Sequence, residues 1–215
     1  MDLLFPALAV LAAYLLGSLS FAVIVSRVMG LSDPRSYGSK NPGATNVLRT
    51  GNKKAAALTL LLDALKGWVP VALVNWFGVA VGLGSGTLAL VGLAAFLGHV
   101  FPVFFKFEGG KGVATAAGVL LGLSGWLGLA VGVTWFAVAR VSRYSSLGAL
   151  TAAAVAPLYY WLGDGRLWTA PAVVVLTVAV MSAVLIWRHS ANISRLLAGT
   201  EPKVGSKSKT PATGA

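Results

Sequence analysis

Residues 33–51 form a polar, glycine-bearing segment in a chain that is otherwise mostly apolar. The segment offers a hydroxyl, two carboxamides and a guanidinium from Ser39, Asn41, Asn46 and Arg49. Together with free backbone amides, these groups could bind a phosphate-like anion. An ordinary polar loop between two membrane helices would have a similar composition, so the rest of the chain must decide between the two interpretations.

The local structure around Asn41, Pro42 and Gly43 has two interpretations. Pro followed by Gly suits the two central positions of a type II turn. Alternatively, Asn41 is an N-cap and Pro42 the first residue of a helix. In the second case Asn46 and Arg49 share one face of that helix.

A second candidate anion site surrounds Lys111, which lies among Gly109, Gly110 and Gly112 directly before an apolar run. Glycines beside a cation and before a helix can form a backbone nest for a phosphate. The segment is not a Walker A loop, because Phe105 stands where that motif needs its first glycine. A flexible loop with a snorkelling lysine is the alternative.

Three further groups of polar residues could contribute to a site. Asp63 and Lys66 lie three apart within an apolar run, where ionisable groups are usually paired; Lys66 could also add positive potential beneath the site. Ser145 and Ser146 offer hydroxyls, although either could be an N-cap. His189 and Asn192 share a helix face, with Arg195 one turn further.

Several kinds of chemistry are excluded or disfavoured by composition. The 215 residues include no cysteine and two histidines, which excludes thiolate chemistry and disfavours a metal site, so no metal or cofactor is expected. Six acidic residues are too dispersed to suggest a catalytic triad. Chemistry at this site should therefore depend on positioning and electrostatics.

The elements that position these residues are apolar runs suited to a membrane. Hydrophobic residues make up 57% of the chain and charged residues 11%, which is typical of a bilayer-embedded bundle. The net charge of +11 therefore does not indicate nucleic-acid binding. The basic residues are expected to face anionic lipid headgroups and the cytosol. The runs cover about residues 3–28, 55–83, 87–105, 113–139, 147–162 and 168–187.

The run 113–139 either crosses once or folds back at Leu123, Ser124 and Gly125. Folding back gives seven crossings, with short fourth and fifth helices. It also collects almost all basic residues on one face, and basic residues favour the cytosol. The predicted fold is an all-α integral membrane protein with its N-terminus outside and its C-terminus cytosolic. The face contains Arg27, Arg35, Lys40, Arg49, Lys53, Lys54, Lys106, Lys111, Arg140, Arg143, Arg188, Arg195, Lys203, Lys207 and Lys209, leaving Arg166 opposite.

This topology places every polar motif at the cytosolic interface. A transport path would need polar groups at the midplane and on both faces, so a binding or catalytic site is favoured. We expect one membrane-embedded catalytic domain over residues 1–201. Residues 202–215 are rich in Lys, Ser, Thr and Gly and are predicted to be a disordered basic tail.

The sequence resembles the bacterial acyl-phosphate glycerol-3-phosphate acyltransferases. The matching pieces extend over nearly the whole chain in family order, with small departures at Ser20, Lys40 and Ser190. They are Gly17-Ser18, the segment 38–49, Asp63-Ala-Leu-Lys-Gly67, Gly98-His-Val-Phe-Pro102, the segment 109–115, Arg143-Tyr-Ser-Ser146, and His189, Asn192, Arg195 and Gly199-Thr-Glu201.

The resemblance implies a multi-pass enzyme of the bacterial inner membrane. It would move a fatty acyl group from acyl phosphate to the 1-hydroxyl of glycerol 3-phosphate, giving lysophosphatidic acid and phosphate in phospholipid synthesis. No covalent acyl-enzyme is expected. The implied partners are these two substrates and membrane lipids, and the chain is expected to be monomeric.

The resemblance also implies roles for individual residues. The residues that would hold phosphate and carry catalysis are Ser39, Arg49, Lys111, His189 and Asn192. Those that would shape or line the substrate site are Asn41, Asn46, Gly109, Gly110, Gly112, Ser145 and Ser146. The local sequence patterns described above add Gly43 and Lys66 to the substrate-binding residues. A small-anion channel or transporter is the alternative function, and its best support is the charged pair Asp63–Lys66 inside the membrane.

Overall fold

The computed structural model describes residues 3–204, which contain ten α-helices and no β-strand. Short 3-10 turns follow three of them, at Leu48–Thr50, Gly78–Val81 and Val103–Phe105. The all-helical class predicted from sequence is confirmed for this part of the chain. The helices are α1 Leu4–Gly17, α2 Phe21–Val28, α3 Ala44–Val47, α4 Lys53–Phe77, α5 Ser85–Val100, α6 Val113–Leu123, α7 Gly125–Ser142, α8 Ser145–Leu162, α9 Ala172–Arg188 and α10 Ser190–Leu197.

Three segments are long and apolar enough to cross a membrane: Lys53–Val81, Ser85–Phe105 and Gly125–Ser142. Two bent pairs, α1 with α2 and α9 with α10, raise the number to five if each pair is one span. Helix α6 is apolar but shorter, with 11 residues. These assignments rest on length and composition.

The sequence suggested one continuous helix over the first apolar run, but the structure has two. Helix α1 ends at Gly17 and α2 begins at Phe21, with a bend of 46° between them. At the break, the Ser18 hydroxyl donates to the Tyr14 carbonyl at 2.8 Å, and Ser20 adopts an extended conformation. Small polar residues therefore interrupt the helix within an apolar stretch.

The predicted break at Ser124 is present. Ser124 is extended, its hydroxyl accepts a hydrogen bond from the Leu127 amide, and α7 packs back on α6. The prediction that both helices are short is wrong for the second. Helix α7 has 18 residues, because it continues through Arg140 and ends only where Arg143 adopts a φ of 66°. A charged residue ends an apolar run without ending a helix.

Helices α4 and α6 approach each other unusually closely. A Cβ on Gly67 would lie 2.2 Å from the Thr115 carbonyl oxygen, and one on Gly118 would lie 1.9 Å from the Ala64 carbonyl oxygen. Such small-residue contacts let helix backbones meet in a membrane. The contact fixes α6, and therefore the glycine segment that precedes it, relative to the long helix α4.

A buried ionic cluster joins α4 to α1 and α5. Lys66 Nζ lies 2.8 Å from Asp63 Oδ1 and donates to the Leu19 carbonyl at 2.6 Å, at the break after α1. His99 Nδ1 lies 3.6 Å from the same carboxylate oxygen. The mutual pairing of Asp63 and Lys66 expected from their spacing is therefore present, and it also satisfies a carbonyl that the interrupted helix leaves free.

The polar loops meet at one end of the bundle. The Arg35 guanidinium lies 5.4 Å from the centre of the Phe105 ring, which brings the loop after α2 to the segment after α5. The Val204 amide donates to the Arg143 carbonyl at 2.8 Å. Residues 202–204, predicted to be disordered, therefore lie against the start of α8, whereas residues 205–215 of the predicted tail lie outside the described part.

Candidate active site

The glycine segment 109–112 is held between the ends of two helices. Arg188, at the end of α9, donates to the Gly109 carbonyl at 2.9 Å and to the Gly110 carbonyl at 3.3 Å. The Gly110 amide in turn donates to the His99 carbonyl at 3.1 Å, near the end of α5. A guanidinium and a helix end thus fix the backbone that leads to Lys111.

The glycines are explained by close packing on α5. A Cβ on Gly110 would lie 2.1 Å from His99 Nε2, and one on Gly112 would lie 2.3 Å from the Phe96 ring. Gly112 also has a φ of 84°, a conformation that favours glycine. Because the Gly110 amide is engaged by His99, the predicted role of this amide as a phosphate donor is not supported.

Lys111 begins a hydrogen-bonded chain that crosses the site. Its ammonium donates to Asn192 Oδ1, and Asn192 Nδ2 donates to Glu201 Oε1 at 2.6 Å. Ser146 Oγ donates to the same carboxylate oxygen at 2.7 Å, and Arg195 Nε donates to Oε2 at 2.7 Å. One carboxylate therefore joins α8, α10 and the segment after α10, and through Asn192 it orients Lys111.

Glu201 remains ionised in this arrangement. Burial alone would raise the pKa of its carboxyl, but hydrogen bonds from Ser146, Asn192 and Arg195 outweigh burial and hold the pKa below its usual value. An ionised Glu201 is an acceptor only. It therefore fixes the Asn192 amide with its nitrogen toward Glu201 and its oxygen toward Lys111.

The ammonium of Lys111 loses its proton more easily than that of an ordinary lysine. Burial, followed by the positive charge of Arg195, lowers the pKa of its ammonium to about 8, although Glu201 opposes the change. Arg188 and Arg49 also lower this pKa, so their charges lie close enough to act on it. Converging positive charges at a partly buried position would favour a multiply charged anion.

The loop before α3 is shaped by Asn46, which is buried. Its side-chain oxygen accepts from the Ser39 amide at 3.0 Å, and its nitrogen donates to the Pro34 carbonyl at 2.6 Å and to the Tyr37 carbonyl at 3.2 Å. Gly38 has a φ of 58°, and a Cβ there would lie 2.4 Å from Asn46 Oδ1. Asn46 therefore organises the loop through its backbone.

The same loop presents two of the predicted phosphate ligands. Arg49 Nη1 would lie 3.0 Å from a Cβ on Gly38, so the guanidinium packs beside the loop, and both Arg49 and Ser39 are exposed. Asn41 is half-buried next to Gly43. The exposed guanidinium and hydroxyl are accessible to a ligand, and the charge of Arg49 acts on Lys111.

Both sequence interpretations of residues 41–43 are wrong in detail. Gly43 has a φ of −156°, whereas a type II turn needs a positive φ there. The helix begins at Ala44 with Gly43 as its N-cap, two residues later than expected from an Asn41 cap. A hydrogen bond from the Gly43 amide to the Asn41 carbonyl at 2.9 Å instead makes a tight turn around Pro42.

His189 lies at the bend between α9 and α10 and is buried. Its Nδ1 is 2.8 Å from the Leu185 carbonyl oxygen. A carbonyl can only accept, so Nδ1 carries the proton, and Nε2 is the acceptor in the neutral ring. The neutral ring can thus accept a hydrogen bond at Nε2.

Some predicted residues are placed elsewhere or act differently. Lys66 is buried with Asp63 within α4 and is not among the residues that surround Lys111. Ser145 and Ser146 begin α8, but its N-cap is Tyr144, so the capping alternative is wrong. Ser146 instead binds Glu201, and Ser145 lies beside it, partly exposed.

Glu201 and Arg188 belong to the site but were not predicted as site residues from the sequence. Glu201 is one of only six acidic residues in a chain of net charge +11. A single carboxylate within a basic segment is a signal that could have marked it as a partner for several donors. Arg188 gives no comparable local signal, because its acceptors are backbone carbonyls 78 and 79 residues away.

An apolar cavity opens beside these polar groups. It is bounded by α6, α7, α8 and α9 and encloses about 570 Å³, including the part that is open to the outside. Val113, which directly follows Gly112, and Leu185, whose carbonyl faces His189, lie at its polar end. The site thus combines a cationic region with a hydrocarbon-lined space.

A helical bundle with apolar spans, a cluster of cations at one end and an adjoining apolar cavity defines a membrane protein that handles an anionic amphiphile. A family profile described as glycerol-3-phosphate acyltransferase matches residues 7–199. The chain belongs to this family.

Relatives and solved structures agree with this assignment. A glycerol-3-phosphate acyltransferase of Albidiferax ferrireducens is 61% identical over 98% of this chain and 94% of its own length. The Bordetella pertussis relative of the same description is 58% identical over 96% of this chain and 95% of its own length.

The chain is similar to crystal structures of PlsY (YgiH), an integral membrane glycerol 3-phosphate acyltransferase. Its glycerol 3-phosphate form has a TM-score of 0.85 and 40% identity, covering 93% of this chain and 96% of that one. The lysophosphatidic acid form has a TM-score of 0.83 and 38% identity over 92% and 94%. This chain is likewise a multi-span integral membrane protein.

Proposed function

We propose that this protein transfers a fatty acyl group from acyl phosphate to the 1-hydroxyl of glycerol 3-phosphate, releasing lysophosphatidic acid and phosphate. The observation that carries the proposal is the junction of two environments. Lys111, bound by Asn192 and surrounded by arginine charges, lies two residues from Val113 at the polar end of the apolar cavity. A phosphate with an attached hydrocarbon fits both.

The reaction needs little from the protein beyond positioning and charge. The glycerol 1-hydroxyl oxygen attacks the acyl carbonyl carbon, the bond from that carbon to the phosphate oxygen breaks, and a substrate phosphate oxygen takes the hydroxyl proton. Atoms and charge balance as ester plus hydrogen phosphate. Acyl phosphate has a good leaving group, so we propose direct attack without a covalent acyl-enzyme.

The proposed roles follow from the placement of each group. Arg49 and Ser39 at the exposed rim would hold the glycerol 3-phosphate phosphate, with Lys111 opposite them. Asn192 would orient Lys111, and Glu201 would orient Asn192. These residues surround substrates that bear negative charge throughout the reaction, which suits electrostatic stabilisation.

We further propose the membrane arrangement that this function requires. The site would face the cytosol of a bacterial inner membrane, in a single catalytic domain with seven crossings, its N-terminus outside and its C-terminus inside. The support is the basic face described above together with the meeting of the polar loops at one end. We propose that the chain acts as a monomer, since the residues assigned to the site come from one chain.

The proposal is tested with the purified protein in detergent or lipidic phase. Acyl phosphate and glycerol 3-phosphate together should release phosphate and form lysophosphatidic acid, whereas acyl phosphate alone should give no burst of phosphate. Such a burst would contradict direct attack. Phosphate release that did not depend on glycerol 3-phosphate would be hydrolysis and would contradict acyl transfer. Absence of any reaction would favour the transporter alternative, because a transporter needs two compartments and an enzyme does not.

A matched pair of lysine variants tests the site itself. Lys111→Ala should lose most of the activity, whereas Lys106→Ala, five residues earlier in the same loop and exposed, should retain it. Both variants should elute and unfold as the parent protein does. Equal activities in the two variants would contradict the assignment of Lys111.

A further inference from the structure

The apolar cavity beside the polar site has a defined mouth. Val113 follows Gly112 directly, and the Leu185 carbonyl accepts the hydrogen bond from His189. The mouth is therefore continuous with the groups assigned to phosphate. This continuity identifies the occupant as the hydrocarbon chain of an acyl donor, so the inference rests on the proposed function.

The depth of the cavity can be read from its lining. On α6 the lining runs from Val113 to Leu120, on α8 from Ala149 to Ala156, and on α9 from Leu185 back to Val178. Each path covers seven residue steps, or about 10 Å at a rise of about 1.5 Å per residue. An extended hydrocarbon advances about 1.25 Å per carbon, given C–C bonds of about 1.5 Å. The depth therefore fits about eight carbons.

A wall of three buried side chains closes the far end. Leu127, Tyr160 and Val174 each lie four residues beyond a lining residue of α7, α8 or α9, and each is at most 2% exposed. All three pack in one hydrophobic cluster with Leu120. The cluster leaves no continuation of the cavity in the direction of α8 and α9.

The wall is held rigidly at Tyr160. Its ring stacks on Trp168 with centroids 6.3 Å apart, and Trp168 Nε1 donates to the Tyr160 carbonyl at 2.8 Å. The Tyr160 hydroxyl donates to the Thr169 carbonyl at 3.3 Å. A side chain fixed at both its ring and its hydroxyl cannot easily turn aside for a longer chain.

The side of the cavity is less tightly closed than its end. Val113, Ala116, Ala117 and Gly132 are all partly exposed, although they line the cavity. Gly132 follows Val131, which lies one turn from Leu127, so a hydrocarbon that reaches the end wall can continue sideways past Gly132. The protein would contact such a chain closely only within the cavity.

We propose that the wall formed by Leu127, Tyr160 and Val174 limits recognition of the acyl chain to about its first eight carbons. Carbons beyond that depth leave the cavity through its side and contribute no further selectivity. The small side chains on α6 and α8 keep the cavity open above the wall. The enzyme therefore distinguishes acyl chains by length only up to the length that reaches the wall.

The test is a series of saturated acyl phosphates from butyryl to palmitoyl, assayed in the same detergent micelles with the full-length protein. Burying each methylene should raise kcat/KM about fourfold, up to about eight carbons, after which kcat/KM should level off. The number of carbons at this break is the measured quantity.

Two variants move the wall in opposite directions. Ala156→Leu fills the cavity one turn above the wall and should move the break to about five carbons. Leu127→Ala removes three side-chain carbons from the wall and should move the break to about eleven carbons at most. Ala154→Leu is the matched control, since Ala154 lies on the same helix but is exposed, and its break should equal that of the parent protein.

The comparison with Ala154→Leu in the same micelles separates the cavity from any effect of donor partitioning. The chain-length proposal alone would be overturned if kcat/KM did not level off with chain length. It would also be overturned if kcat/KM levelled off at the same chain length in Ala156→Leu and Ala154→Leu. A uniform loss for all donors in Ala156→Leu would also overturn it. No transfer from any acyl phosphate by the parent protein would contradict the proposed function, and with it this inference.

Discussion

At the scale of single residues, the charge of Lys111 depends on pH. Its pKa of about 8 lies near the working range of an enzyme, and the low value follows from burial among arginine charges. The negative charge of Glu201 opposes this effect without cancelling it. The protonation of one lysine should therefore be visible in substrate binding.

We expect glycerol 3-phosphate to bind best between about pH 6 and pH 8. Its phosphate becomes a dianion above about pH 6, and the Lys111 ammonium loses its proton as the pH rises through about 8. Bound dianion raises that pKa, so binding should weaken from about pH 8, where free Lys111 loses its proton, up to the higher pKa of the complex. The measurement is KM for glycerol 3-phosphate from pH 5.5 to pH 10.

Lys111→Arg is the control for this profile. A guanidinium stays charged throughout the range, so the alkaline loss should disappear, while activity at pH 7 should be lower because a planar fork replaces a compact ammonium. An unchanged alkaline loss in the Arg variant would assign it to another group.

His189 tests how the proton leaves the attacking hydroxyl. If the residue only helps to hold phosphate, His189→Ala should mainly raise KM for glycerol 3-phosphate. If Nε2 accepts the proton, kcat should fall by about a hundredfold or more with KM little changed, since a positioned base contributes about 10²–10⁴-fold. We expect the first result, because a substrate phosphate can take the proton. Steady-state kinetics that show the second pattern would make His189 the base.

At the scale of elements, the buried pair Asp63–Lys66 joins α4 to the break between α1 and α2. Asp63→Asn or Lys66→Met alone should each cost on the order of 3–5 kcal/mol, because each leaves one buried charge unpaired. The double variant should cost less than the sum, since no charge remains. Thermal unfolding in detergent measures all three, with the exposed Lys53→Met on the same helix as control. Additive losses would show that the pair is not coupled.

The elements also show how far sequence alone can go. The turn at Ser124 was predictable, because a Leu-Ser-Gly interruption and the distribution of basic residues agree. The break after Gly17 was missed although Gly17, Ser18 and Ser20 lie there, because no charge asymmetry supports a break at that point. Its stabilisation comes from Lys66, 47 residues from Leu19. The end of α7 was misplaced because charge marks the edge of an apolar run and not the end of a helix.

The candidate site divides in the same way. Lys111 and Asn192 were predicted from the family resemblance, and the structure joins them across 81 positions. The central place of Glu201 depends on Ser146, 55 positions away, and could not be read from local spacing. Packing explains the glycines of the segment 109–112 better than the phosphate nest that their spacing suggested.

At the scale of the whole molecule, three polar segments are joined by direct contacts. Lys111 binds Asn192, Arg188 binds Gly109, and Ser146 binds Glu201. Segments that touch outside the apolar spans share one side of a membrane. The loop after α2 joins them through Arg35 and Phe105. The cytosolic side is a proposal that rests on charge, since the basic residues of these segments favour the cytosol.

The absence of cysteine from the chain makes the proposed topology directly testable. Single cysteines replacing Leu31, Glu108, Ser142 and Thr200 should react with a membrane-impermeant maleimide only after the cells are opened. A cysteine replacing Ser124 should react in intact spheroplasts, and one replacing the exposed Ser85 is the control for the outer side.

The contacts described above require cysteines at Glu108, Ser142 and Thr200 to be labelled from the same side of the membrane, whichever side it is. Labelling of Ser142 from outside, with Glu108 protected, would therefore overturn both the fold-back at Ser124 and the joining of the polar segments. Labelling of all four from outside would leave the bundle intact but reverse its orientation, and the site would then face away from cytosolic glycerol 3-phosphate.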